Sequence, residues 1–144
     1  MTIPGVIHKF ILDKLYGFAL DSKGYQYFFH LGDFIKGGVT HQPPPILGEK
    51  VQIEIGSSGP TDINKAAKAV SVTRCHDPEY IFGHIEYYDD LNTYGFIRSE
   101  DNTAYYLHKS EILDKSNPKK GQKVRFYAGI NKGKPRACYV TLIK

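Results

Sequence analysis

Three groups of residues in this sequence have types and spacings that could do chemistry. His30 and His108 each close an aromatic run, Tyr27-Phe28-Phe29-His30 and Tyr105-Tyr106-Leu107-His108. Cys75-His76-Asp77 spells out a nucleophile, a base and an acid. In TYGFIRSEDNTAYYLH, residues 93–108, rings alternate with Arg98, Glu100, Asp101 and Asn102. No carboxylate pair, hydroxyl nucleophile or metal-ligand spacing accompanies both histidines, so stacking or a phosphate contact is the chemistry expected of them. Consecutive residues on an extended chain point in different directions. Cys75-His76-Asp77 also runs straight into Pro78, so RCHDPEY reads as a linker. Two lone cysteines, Cys75 and Cys138, cannot make a tetrahedral zinc site and suit reduced thiols in a cytosolic protein. No metal, cofactor or catalytic activity is expected, which leaves rings beside cations as the chemistry to explain.

The elements that must position those rings occur twice. Tyr16-Gly17-Phe18 recurs 78 positions later as Tyr94-Gly95-Phe96, and Phe28 and His30 recur as Tyr106 and His108. The same offset carries Gly5 onto Gly83, Lys9 onto Tyr87 and Phe10 onto Tyr88. GEKVQI at 48–53 matches GQKVRF at 121–126, 73 apart, and AKAVSV at 67–72 matches ACYVTL at 137–142, 70 apart. A shrinking offset is what two copies of one domain give when the first has longer loops, near His41 to Pro45 and Ser57 to Asn64. The domains are expected at 1–75 and 80–144.

In the second copy, residues 82–90, 93–99, 104–108, 122–128 and 136–143 read as five short strands, with turns at 89–92, 99–102 and 129–135. Over 122–128, Val124, Phe126 and Ala128 fall on one face and Lys123, Arg125 and Tyr127 on the other. NKAAKAV, residues 64–70, has local helix propensity, but the repeat makes it the last strand of copy one. The fold class is therefore all-β, two tandem five-stranded barrels. Gly37-Gly38 lacks the strand and helix of a phosphate loop and reads as punctuation before the stiff run Pro43-Pro44-Pro45.

Residues two apart on a strand share a face. Ile97 and Leu107 suit an interior, whereas Arg98 and His108 do not. Tyr94, Phe96, Tyr106 and His108 then face outward together, as do Tyr16, Phe18, Phe28 and His30. Tyr27, Phe29 and Leu31 go inside with Gly17 and Ala19. Half the rings build barrels and half form exposed shelves.

The net charge is +4. Residues 1–77 carry eight Lys or Arg against seven Asp or Glu, and residues 78–144 carry eleven against eight. Residues 115–136 include Lys123 and Arg125 and no acid, a stripe suited to a polyanion. No run of about twenty apolar residues could span a membrane, and the first ten residues lack the layout of a signal peptide.

These motifs resemble the cold-shock domain family, whose fold is a five-stranded OB barrel. The resemblance spans nearly the whole chain as two copies. The family's first ribonucleoprotein motif is matched by Lys14-Leu15-Tyr16-Gly17-Phe18 and Asn92-Thr93-Tyr94-Gly95-Phe96, and its second by residues 27–30 and 105–108. The family's first-strand Trp is replaced by Lys9 and Tyr87, and the lysine before it by His8 and Glu86. The motif lysine is kept as Lys14 but is Asn92 in copy two, and Leu31 and Lys109 follow the two histidines.

The resemblance implies binding of single-stranded RNA or DNA by a cytoplasmic RNA chaperone or regulator. The residues it implicates are Lys9, Phe10, Lys14, Tyr16, Phe18, Phe28 and His30 in copy one. In copy two they are Tyr87, Tyr88, Tyr94, Phe96, Tyr106, His108, Lys109, Lys123 and Arg125. Stacking on each ring is worth about 1–3 kcal/mol per base, and two linked shelves add avidity where one strand reaches both. The alternative is a protein-interaction module whose barrels bind a polymerase, nuclease or ribosomal partner, consistent with the missing Trp and with Glu86, Asp89 and Asp90.

Overall fold

The computed structural model describes residues 1–35, 43–56 and 59–143. The chain divides into two compact units, Met1–Asp77 and Pro78–Lys144. Gly37-Gly38 and part of the two long loops of copy one lie outside the described residues.

The first unit runs β1 (Thr2–Ile11), β2 (Tyr16–Asp21), β3 (Gln26–His30), β4 (Phe34–Ile35), β5 (Lys50–Ile55) and β6 (Ala67–Arg74). Strands β3-β2-β1-β5-β6 lie side by side, and β3 meets β6 in parallel at Tyr27–Ala67 and Phe28–Lys68, which closes the ring. The two-residue β4 adds to β6. The second unit runs β7 (Ile81–Asp89), β8 (Tyr94–Ser99), β9 (Ala104–His108), β10 (Lys123–Asn131) and β11 (Lys134–Leu142). It is a closed barrel, sealed where β11 meets β9 in parallel at Arg136–Tyr106. The ambiguous segment is strand from Ala67 onward, so packing of Ala69 and Val72 into the core overrides its helix propensity.

Alternation fills both interiors. Ile7, Ala19, Tyr27, Phe29, Phe34, Val51, Ile53, Ala69 and Val72 form one core. Ile85, Ile97, Leu107, Ile112, Val124, Phe126, Ala137, Val140 and Leu142 form the other. The long first strand of each barrel carries a β-bulge, between Ile7 and Lys9 and between Ile85 and Tyr87. The bulge brings its backbone down onto the glycine between the two motif rings. A Cβ on Gly95 would run into the Tyr87 carbonyl oxygen, and one on Gly17 into that of Lys9. The aromatic-Gly-aromatic motif is thus a packing requirement as well as a pair of outward rings. The turns ahead of it hold Leu15 at φ 58° and Thr93 at φ 59°. Thr93 is β-branched and disfavoured there; its N–H donates to the Asp89 carbonyl at 2.8 Å.

Three sequence expectations are corrected. The final strands align 68 positions apart, not 70: Phe28 pairs with Lys68 as Tyr106 pairs with Arg136. At an offset of 70, Val70, 54% exposed, would have matched Val140, which is fully buried. Small and β-branched residues recur often enough in these strands for a two-residue slip to score as well. Second, a bulge between Arg125 and Tyr127 breaks the alternation of β10. Phe126 and Tyr127 are both buried, and Ala128 is exposed. Third, the expected 129–135 turn is tighter: β10 runs to Asn131 and β11 starts at Lys134, with Lys132 at φ 53° and Gly133 at φ 78° between them.

The proline run is anchored. Arg74 donates to the Pro43 and Pro44 carbonyls, each at 3.1 Å, and pairs with Glu49 at 2.6 Å, while its guanidinium carbon lies 4.9 Å from the Phe34 ring centroid. Pro43 and Pro45 are buried.

Candidate nucleic-acid interface

Cross-strand register sets the outer rings out in rows. In the second barrel Tyr87 on β7 faces Phe96 on β8, Phe96 faces Tyr106 on β9, and Tyr106 faces Arg136 on β11. The next row is Asp89, Tyr94 and His108. Tyr87 is 47% and Phe96 38% exposed, while Ile97 and Leu107, alternate on the same strands, are fully buried. Tyr94 and Tyr106 stack with centroids 6.2 Å apart at 16°, and Phe96 meets Tyr106 edge-on at 6.0 Å. His108 is fixed: its Nδ1 accepts the Ser110 backbone N–H at 3.1 Å and lies 2.8 Å from the Ser110 hydroxyl.

The first barrel repeats the rows with one change of chemistry. Lys9 faces Phe18, Phe18 faces Phe28, and Phe28 faces Lys68. Tyr16 faces His30 in the next row. Phe28 lies 5.3 Å from Tyr16, 5.6 Å from Phe18 and 4.9 Å from His30. A cation-ring-ring-cation row in one barrel stands against a ring-ring-ring-cation row in the other. His30 is exposed and lacks a counterpart of Ser110, since Gly32 takes that place.

The structure excludes Phe10 and Tyr88 from this face. After the bulge the chain resumes alternation one residue late, so Lys9 and Tyr87 point out and Phe10 and Tyr88 point in. Phe10 stacks on Phe29 at 6.3 Å, and Tyr88 packs on the second core. Burial and the carboxylates of Asp90 and Asp89 push the Tyr88 phenol up. Arg125 is not on the rows either. Its guanidinium lies 4.6 Å from the Tyr80 ring centroid, and Tyr80 in turn packs on Tyr127 at 4.6 Å. Lys123 faces His84 on β7, beside the rows. Lys14 is exposed in the β1–β2 turn, and Lys109 opens the short 3-10 turn after β9, its N–H donating to the Thr93 carbonyl at 3.0 Å.

Register also adds residues that the repeat, read two positions out, concealed. Arg136 sits with its guanidinium carbon 5.5 Å from the Tyr106 ring centroid and pairs with Glu111 at 3.3 Å. Lys68, at the matching place in the first barrel, pairs with Asp33 at 3.2 Å. The His30 backbone N–H, then Lys68, hold the Asp33 carboxyl below its usual range. Glu86 does not crowd the second shelf as an unpaired charge, because Arg98 binds it with both Nε and Nη2. Asp89 is held low by the Asn92 side-chain amide and then by the turn N–H groups. Tyr87 is pushed up by desolvation and by Asp89.

Cys75, His76 and Asp77 are all exposed, and Cys138 is buried. Among the described residues no helix is long and apolar enough to cross a membrane.

Residues 81–143, which cover the second barrel, match the family model described as the 'Cold-shock' DNA-binding domain. No curated protein matches the chain. Among solved structures, the chain titled "drosophila Unr CSD456" aligns over 100% of this chain at 19% identity and a TM-score of 0.44. The present chain spans 62% of that one.

Proposed function

We propose, from the match of residues 81–143 to the cold-shock domain model, that this protein binds single-stranded RNA or DNA, and that it acts as an RNA chaperone or regulator by holding strands unpaired. The first barrel shares the strand order, the bulge and the motif spacing, and is read as a divergent second copy. The observation that carries the proposal is the row Tyr87–Phe96–Tyr106–Arg136, three outward rings ending in a cation, laid over an apolar core. Each base offers a π-face to such rings whatever its identity, so the shelf grips unpaired strands with little demand on sequence. A paired base hides those faces in the duplex stack, which is why the surface selects single strands. Lys9, Lys68 and Arg136 flank the rings at the spacing of the strands and are placed to meet phosphates.

The test is anisotropy titration of a labelled oligothymidylate and its RNA counterpart, with a duplex of the same length as control. Tight binding of single strands with weak binding of the duplex is the expected result. Equal binding of both would remove the stacking account. A second reading, a module that docks on a protein, is favoured by Lys9 standing where the second barrel has a ring and by Arg98 being neutralised by Glu86. Pull-down of a protein partner by a chain that binds no oligonucleotide would select it.

A further inference from the structure

Outside both rows, the second barrel exposes a further ring beside a groove. Phe82, 46% exposed, lies near the start of β7 and faces Arg125 across the β7–β10 pair. With His84, Arg98, Glu100, Asn102 and Lys123 it lines a groove of about 560 Å³, within the range of volumes that hold small ligands. The groove adjoins the shelf directly: His84 faces Arg98 across β7–β8, and Phe96 precedes Arg98 by two on the same outer face. Arg98 is engaged, through Nε and Nη2 with Glu86 and through Nη1 with the Asn102 carbonyl at 2.9 Å. Lys123 makes no ion pair among the described residues. Glu100 is the one acid on the lining, against two cations.

The first barrel supplies a comparison. It has a groove at the same place, of about 410 Å³, lined by Pro4, Val6, Leu20 and Lys50 where the second has Phe82, His84, Arg98 and Lys123. The lysine is common to both. The ring, the imidazole and the guanidinium occur only in the second barrel. An accident of barrel geometry accounts for a groove in both copies, but not for ring-and-cation chemistry in one.

We propose that this groove is a further nucleotide subsite of the second barrel, taking the base next beyond the shelf on Phe82 and its phosphate on Lys123, with His84 as an additional donor. The proposal rests on the shelf binding single strands.

It is tested with the full chain carrying Phe18→Ala and Phe28→Ala, which silences the first shelf, titrated with oligothymidylates of roughly three to nine nucleotides. Affinity should rise in steps with length. Phe82→Ala should leave the shortest oligonucleotides unaffected and abolish one step, a loss of about five- to 150-fold for the longer ones. Phe82→Trp should keep the step, and Lys123→Gln should reduce it and flatten its salt dependence. The same length dependence in Phe82→Ala and Lys123→Gln as in their parent would overturn the subsite while leaving the shelf standing. A uniform weakening at every length would do the same. Failure of the unmodified chain to bind any length would overturn the shelf and the subsite together.

Discussion

Glu111 and Arg136, 25 positions apart in sequence, meet at 3.3 Å at the edge of the second shelf, and the pairing holds the guanidinium beside Tyr106. The same carboxylate accepts the Tyr139 backbone N–H at 3.3 Å, through its other oxygen. Glu111 thus orients a cation and at the same time competes with any phosphate that would use it.

Removing the competitor should therefore strengthen binding. Glu111→Gln keeps an acceptor for Tyr139 and deletes the charge, and is expected to raise oligonucleotide affinity about two- to fivefold at low salt. Arg136→Ala should lower it and make the log–log salt slope shallower by about 0.7, the share of one phosphate contact on a single strand. Titration of both variants at one salt concentration checks the pair of signs.

The faces of β8 and β9 separate binding from folding. Phe96→Ala should cost about 1–3 kcal/mol of strand binding with little loss of stability. Leu107→Ala opens a cavity in a fully buried site and should cost about 2–5 kcal/mol of folding. Oligonucleotide titrations beside urea melts would show the reverse pattern if the faces were exchanged.

Binding should weaken with salt, because releasing counterions into a more concentrated bath gains less entropy. Contact with roughly four phosphates gives a log–log slope near −3 for a single strand. A flat dependence would point to a protein partner instead of a nucleic acid.

The first barrel should lose stability in alkali. Burial, together with the hydrogen bond from Tyr27 to Asp21 at 3.0 Å, pushes the Tyr27 phenol from 10.0 up to about 12. A folded-state value above the unfolded one favours the protonated phenol in the native barrel. Its contribution is complete below about pH 10 and is lost as pH rises toward 12. Urea melts across that interval should show the stability difference between the parent and Tyr27→Phe shrinking as pH rises.

Much of this was legible in the sequence. The 78-residue offset predicted the two sets of outward rings, because the strands that carry them lie where both copies have equal length. What was hidden lay past irregularities that leave no mark in residue type. A bulge is an extra residue, not a kind of residue, so Phe10 and Tyr88 read as members of the outward binding set and proved to pack on the cores. The bulge in β10 likewise moved Ala128 outward. The slip in the last strand concealed Lys68 and Arg136 as equivalents, since Val70 mimicked Val140. Phe82 was visible only as an aromatic near a strand start; its exposure and groove depend on partners contributed by β8 and β10.

The bulges at Ile7–Lys9 and Ile85–Tyr87 have a consequence for how such a duplicated chain can diverge. By offsetting the pleat at one place, each detaches the outward residue at that position from the packed interior on either side of it. A lysine and a tyrosine occupy that post in the two copies, over interiors that correspond position for position along the strand, Ile7 to Ile85 and Phe10 to Tyr88. Ligand preference at that position is therefore free to drift by single substitutions that need no compensating change beneath, and one gene carrying both copies can hold two specialisations on a common chassis.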